Sequence, residues 1–532
     1  MKKPSEAIDS ARVLCYDKGM KNTAAAKDFQ TQIDRLEKRN LALENTVAEL
    51  SALVRHFEEL FKISQQKRFG ASSEKSALDA GQTSMFEESV PTLPPALEIA
   101  ETSRTRRKQK GKREADWSRL PLEIIEHDIP EPQRKCPACS SNVAEIGVQT
   151  RDELKIIPAQ VIRVQHRVKV YKCPACDVCA DKTPIFKAKM PVPLIRGSIA
   201  SPSAVTHIMV QKHLLHLPFY RQEQEFPRQG VAISRQNMAN WSIQTCEDWL
   251  RPMYDKLREN LLRQDILHAD ETTLQVLKEP GKAPETKSYM WLYRTGDKSP
   301  TPTALYEYQQ GRGTEHPKAF FDGWHGFCHT DGYSAYRGVK GVTLVGCWAH
   351  VRRKFHEAWI ITKALDSPAK IGLDYCDSLF ALEREFSGLP PDERHRARLE
   401  QSQPLEKAFF AWAKTQDFPP KLVITRALIY AIKQESRLMN VFCDGRLELS
   451  NNRAERSIKP FVIGRKNWLF CDSVRGAKSS AIAFSIIETA KENGLKPFEY
   501  LKFLLEALPQ IGSRTIDNLL PWGGGLPSEC RT

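Results

Sequence analysis

The sequence predicts a multidomain α/β protein: an N-terminal coiled coil, a zinc ribbon, a helix-turn-helix, and a mixed β-sheet core interrupted by an all-α insertion. Three observations carry that expectation. A seven-residue apolar repeat runs from about residue 27, the tetrapeptide CPAC occurs at 136–139 and again at 173–176, and from Asp265 three β-like runs at meander spacing give way to strands alternating with helices. At 532 residues the chain exceeds what one hydrophobic core organises, so three or more domains are expected. Lys and Arg (79) outnumber Asp and Glu (65), a net charge of +14, which points to a polyanionic partner, nucleic acid before an anionic membrane. The first twenty residues hold no apolar run of signal-peptide length and nowhere do eighteen apolar residues run together, so the expectation is a soluble, cytoplasmic, nucleoid-associated protein with no membrane partner. Thirteen cysteines, four of them in the two C-x-x-C pairs, fit metal binding in a reducing compartment better than a disulfide framework.

Residues 1–26 are expected to be a flexible N-terminus, and 27–65 a coiled coil. Ile33, Asn40, Val47, Val54 and Phe61 occupy one seam position, and Leu36, Leu43, Leu50 and Phe57 the other. Asn40 is the polar seam residue that fixes register and strand number, which predicts a parallel homodimer; an amphipathic helix folded back on its own chain is the alternative. Residues 66–118 form a basic linker, with Arg104, Arg106, Arg107, Lys108, Lys110, Lys112 and Arg113 either solvated or touching phosphates. In the zinc-ribbon DNA-binding domain, 119–195, two knuckles flank a β-rich stretch and feed four thiolates to one tetrahedral Zn²⁺: Cys136, Cys139, Cys173 and Cys176, with Cys179 a rival for the last place.

The region 196–250 is expected to hold helices broken at Pro218 and Gly230, with Ser234 capping the last. That helix offers Arg235, Gln236 and Asn240 to DNA, as a helix-turn-helix requires. The core's first part, 251–355, has the expected order β-β-β-α-β-α-β-α, with Asp270 late in the first strand and Asp331 at the end of the fourth. Those positions are neighbours across strand ends, where two carboxylates can share divalent metal, but a two-metal site needs about three acids. A helical insertion, 356–440, separates them from the second part of the core, 441–495, and a C-terminal helical segment and tail covers 496–532. Glu455, in LSNNRAERSIKP, supplies the missing acid among cations that would face phosphates; the plainer reading makes it the far end of a capping box with Asn452.

The stretches HADET, TDGYSAY, LVGCWAHVRRKF, NNRAERSIKP and GRKNWLF, with QKRFGASSEK, HLPFYRQEQEF, IETAKENG and LLPW, resemble the transposase of the insertion-sequence-66 family over nearly the whole chain. The resemblance implies an RNase-H-like DDE fold that cuts and joins DNA strands, with Asp270, Asp331 and Glu455 as an acid triad holding Mg²⁺ or Mn²⁺. It also implies terminal repeats and target DNA as partners, assisted by accessory proteins from the same element. Glu488, in IETAKENG, is a rival third acid. Arg352, Arg353 and Lys354, and Arg465 and Lys466, are candidates for phosphate contacts, and His350 is either a DNA contact or a structural histidine. Two other classes compete: a DNA-binding regulator without chemistry, and a metal-dependent nuclease that cuts without joining.

Overall fold

The computed structural model describes residues 31–47, 50, 51, 54, 58, 124, 160–172, 185–511 and 515–532. The chain divides into two units, 87–162 and the remainder, and of the first only 124 and 160–162 are described. Cys136, Cys139, Cys173, Cys176 and Cys179 lie outside the described residues, as do the whole basic linker, 66–118, and the seam positions Phe57 and Phe61. Residues 31–47 are helical, and the seam side chains Leu36, Leu43 and Val47 are each more than half exposed. Of the stretch expected to be β-rich, 160–169 carry no strand, and only β1 (Val170–Lys172) pairs, antiparallel, with β2 (Ile185–Lys187).

Four helices follow: α1 (Pro202–His213), α2 (Phe219–Glu225), α3 (Arg235–Thr245) and α4 (Arg251–Leu261). Gly230 takes φ +86° at the break before α3, a left-handed conformation that glycine adopts without steric cost. Ser234 caps α3, its hydroxyl accepting from the Asn237 N–H at 3.2 Å. Met238 and Trp241 point inward, while Arg235, Gln236 and Asn240 are exposed. These helices share one apolar core with a face of the sheet and with the C-terminal helices, so the division expected near residue 250 is crossed by packed side chains.

The central strand is β3 (Ile266–Lys278), flanked by β4 (Lys287–Thr295) and β5 (Ala304–Gln309) in an antiparallel meander. After α5 (Glu315–Phe320), β6 (Gly326–His329) and β7 (Val342–Val345) add on β3's other side, both parallel to it, giving the order β5-β4-β3-β6-β7. The helix expected between β6 and β7 is absent. Residues 330–341 make a loop with one 3₁₀ turn, Ser334–Tyr336, because Gly332, Gly338 and Gly341 all take positive φ and break any helical run.

The stretch expected as the insertion, 356–440, is helical, and its first helix begins eight residues earlier: α6 (Trp348–Thr362), α7 (Pro368–Glu385), α8 (Pro391–Ala397), α9 (Gln403–Thr415) and α10 (Val423–Leu438). It has its own core of Trp348, Phe355, Leu379, Phe409, Phe410 and Ala431, which reaches the sheet through Ile266 and Val345. The chain returns as α11 (Asn452–Trp468), then β8 (Cys471–Ser473), parallel to the far end of β3, then α12 (Val474–Glu492) and α13 (Pro497–Ala507).

Helix α12 runs along the β5 edge. The Ala304 N–H donates to Thr489 Oγ1 at 3.1 Å and the Tyr306 N–H to Ser485 Oγ at 2.8 Å. Two hydroxyls one helical turn apart thus satisfy alternate edge amides that would otherwise be buried and unpaired.

Candidate active site

Side chains alternate along a strand, so residues at even positions of β3 share one face. The parallel register sets His268 opposite His329, and their imidazoles stack at 4.2 Å, 9° from coplanar. Each histidine opens a His-x-Asp tripeptide. Two residues on from this matched pair, Asp331 lies just past the end of β6, while Asp270 lies in the first half of β3, still paired with Leu292, rather than late in the strand as expected, because β3 runs on to Lys278. Asp331 begins the loop after β6, its Oδ1 accepting from the Tyr333 N–H at 2.8 Å. The insertion buttresses that loop: the Tyr430 hydroxyl donates to the Asp331 carbonyl at 2.7 Å, and Gly332, at φ +92°, lies so close to Gln434 that a side chain there would collide.

Glu455 reaches the same place from the first turn of α11. The anchor is Asn451, the residue before the helix. Its side-chain amide donates to the Ala269 carbonyl at 2.9 Å, its Oδ1 lies 2.9 Å from His268 Nδ1, and its backbone N–H donates to Cys347 Sγ at 3.2 Å. Trp348 N–H donates to the Leu449 carbonyl at 2.9 Å. One buried asparagine thus bolts together the strand carrying Asp270, the helix carrying Glu455 and the start of α6. The capping box does not form: Asn452 is the first helical residue, and its buried Oδ1 has no hydrogen-bond partner. The Glu455 carboxylate instead takes an ion pair from Arg353 at 3.3 Å on Oε2, and Oε1 lies 3.6 Å from His350 Nδ1.

The three acids lie within electrostatic reach of one another. Burial pushes the Asp270 carboxyl well above its ordinary value, and the charges of Glu271, Asp331 and Glu455 push further the same way. Glu455 is also raised, by burial first and by Asp331, against the pull of Arg353. Carboxylates held together against their own repulsion suit a divalent cation, whose charge removes the penalty. Glu488 is elsewhere: it is buried on α12, ion-paired with Lys491 at 2.8 Å and close to Glu492 and Arg294.

Of the predicted cations, Arg352 pairs with Asp377 of α7 at 2.5 Å, Lys354 lies over the Tyr430 ring at 4.7 Å, and Arg353 holds Glu455. Arg465 donates to Thr272 Oγ1 at 3.0 Å and Thr273 Oγ1 at 2.8 Å, clamping α11 to β3, whereas Lys466 is exposed. Four residues around the site escaped sequence reasoning. Asn451 gave no signal, since its partners are far away in the chain. His268 and His329 did give one, the repeated His-x-Asp. Glu271, on the opposite face of β3, accepts from the Tyr336 hydroxyl at 2.7 Å and pairs with Arg312, supporting the Asp331 loop from beneath.

Comparison with known proteins identifies the family. The model described as "Transposase IS66 family" matches residues 197–479, and that of the "IS66 C-terminal element" matches 485–522. The "zinc-finger binding domain of transposase IS66" matches 133–177, and "Transposase C of IS166 homeodomain" matches 56–125. The chain is 29% identical to the uncharacterized protein y4jD of Sinorhizobium fredii (strain NBRC 101917 / NGR234), over 91% of this chain and 97% of that protein. It is 30% identical to the uncharacterized protein y4qI of the same strain, over 75% of this chain and 76% of that protein. Since the first match alone takes in more than half of the chain, including the sheet and the insertion, the chain belongs to the IS66 family of transposases.

Proposed function

We propose that this transposase cuts DNA at the ends of its insertion sequence and joins the released 3′-hydroxyl to target DNA, with Asp270, Asp331 and Glu455 holding Mg²⁺ or Mn²⁺ in an RNase-H-like core. The observation that supports this is the matched pair His268 and His329 on adjacent parallel strands, each two residues before an aspartate, together with the mutual charge effect of Asp270, Asp331 and Glu455. The strand order and directions, an antiparallel trio extended by two strands parallel to its first member, support the RNase-H-like reading.

Divalent ions held there would stabilise the attacking and leaving oxygens of an in-line phosphoryl transfer. The chain's own part is positional. Asn451 and Arg353 fix Glu455, the Tyr333 amide and Tyr430 hydroxyl fix the Asp331 loop, and Arg465 clamps α11 to β3. Exposed Arg235, Gln236 and Asn240 on α3 supply base contacts, and exposed Lys466, with Arg352 and Lys354, the phosphate contacts. Cys136, Cys139, Cys173 and Cys176 hold structural Zn²⁺; the zinc-finger match ends at 177, before Cys179, which favours Cys176 as the fourth ligand. The exposed apolar seam of the N-terminal helix pairs with that of a second copy, giving the dimer that holding two DNA ends requires.

The test is a labelled duplex carrying an element end, incubated with Mg²⁺. Wild type is expected to cut it, while Asp270→Ala binds it equally and leaves it intact. Equal cutting by both proteins would overturn the proposal.

A further inference from the structure

We infer that His350 is a metal ligand, its Nδ1 joining Glu455 Oε1 as a nitrogen–oxygen arm that shifts the site's preference from Mg²⁺ toward ions that accept imidazole, such as Mn²⁺ or Zn²⁺. This rests on the reading of Asp270, Asp331 and Glu455 as metal ligands.

The geometry is that of an opened pair. His350 Nδ1 and Glu455 Oε1 face each other across 3.6 Å, too far for a hydrogen bond. Both atoms are shut off from water, and neither has a hydrogen-bond partner. Two buried polar atoms left unpaired side by side are costly, and a short rotation of either side chain would close the bond. Arg353 takes the other carboxylate oxygen at 3.3 Å, which turns Oε1 toward the histidine. His350 sits in the first turn of α6, whose start is tied to the loop before α11 by the Trp348 and Asn451 amides.

Nitrogen and oxygen donors bonded at 2.0–2.1 Å to a tetrahedral ion stand about 3.3 Å apart, so the observed gap is close to the bite of a single cation. Cys347 Sγ also lies within 4.8 Å of a ligand atom of each of the two side chains, but it already accepts from the Asn451 N–H at 3.2 Å. The imidazole and carboxylate are therefore the arm. Mg²⁺ favours oxygen ligands and keeps its waters, whereas later divalent ions bind imidazole readily.

The experiment uses the full chain with its zinc in place and Mn²⁺ as the probe. Bound Mn²⁺ is counted from the loss of the free-ion EPR signal, Mg²⁺ competition gives the preference, and pulsed EPR detects ¹⁴N coupled to the bound ion. Wild type is expected to bind Mn²⁺ with a directly coordinated nitrogen. His350→Ala, with helix content and melting checked, is expected to keep a bound ion, lose that coupling and lose about tenfold in Mn²⁺ preference, the scale of a weakened ligand shell. Asp270→Asn, which leaves His350 untouched, should lose the ion.

If wild type binds an ion that Asp270→Asn loses, but the nitrogen coupling is absent or survives in His350→Ala, the inference is wrong and the acid triad stands. If the coupling depends on His350 while Asp270→Asn binds the ion normally, the arm stands and the triad is wrong. Wild type binding no Mn²⁺ overturns both.

Discussion

Glu406 shows how one residue can lower stability without touching the active site. It is fully buried on α9, neither carboxylate oxygen has a hydrogen-bond partner, and burial, aided by the Glu435 charge, pushes its carboxyl up to about 9 from 4.5. The folded state therefore holds it protonated where the unfolded chain would ionise it. Its contribution destabilises folding increasingly as pH rises from about 4.5 to about 9 and vanishes below that window. Glu406→Gln is expected to raise the melting temperature at pH 8, leave it nearly unchanged at pH 4, and flatten the slope between. An equal slope in both proteins would mean that Glu406 is ionised in place. Asn451 makes the opposite case, every polar group of its side chain being used. Asn451→Ala removes the donor to Ala269 and the partner of His268, and should weaken Mn²⁺ binding about 10–100-fold while α11 persists, as titration of Mn²⁺ and circular dichroism would report.

At the scale of elements, the motif IETAKENG has a structural role that its glutamate hides. Ser485 and Thr489 satisfy the amides of the β5 edge, and Thr489→Val leaves the Ala304 N–H and carbonyl without that partner. The expected loss is about 1–3 kcal/mol in urea unfolding, the scale of a buried unsatisfied amide. An unchanged midpoint would show that the edge finds another donor or water. Nothing in the sequence points to this contact, because a hydroxyl bonded to an edge strand has the same spelling as any small helix residue. Periodicity reveals the meander, α5, the helical insertion and the break at Gly230, since each depends on side-chain alternation or on a local turn. It fails between β6 and β7, where TDGYSAY reads as the approach to a helix: three glycines at positive φ there make a loop whose shape is held by Tyr430 and Gln434 of the distant insertion. Asp270 and Asp331 are legible as acids of two strands and Glu455 as an acid on the helix after the insertion, but Asn451, which ties that helix to β3, is not, because its partners lie far off in the chain.

For the whole molecule, the insertion is the element that joins the two parts of the core, and its own aromatic centre lets it act as a rigid buttress for the Asp331 loop. The helix bearing Arg235, Gln236 and Asn240 shares a core with the sheet, so the proposed DNA reader and the proposed active site rest on one packed core. The N-terminal seam tests the assembly. Light scattering is expected to give twice the 60.6 kDa of the chain for wild type, and the mass of one chain for Leu36→Glu/Leu43→Glu. A double variant that keeps the wild-type mass would assign pairing to another surface. The sharpest single measurement compares Glu455→Gln with Glu488→Gln in Mg²⁺-dependent cutting and joining of a labelled element-end duplex, after each is shown to bind it as wild type does. Glu455→Gln is expected to lose both reactions and Glu488→Gln to keep both; an active Glu455→Gln would remove Glu455 from the triad and with it the proposed metal site.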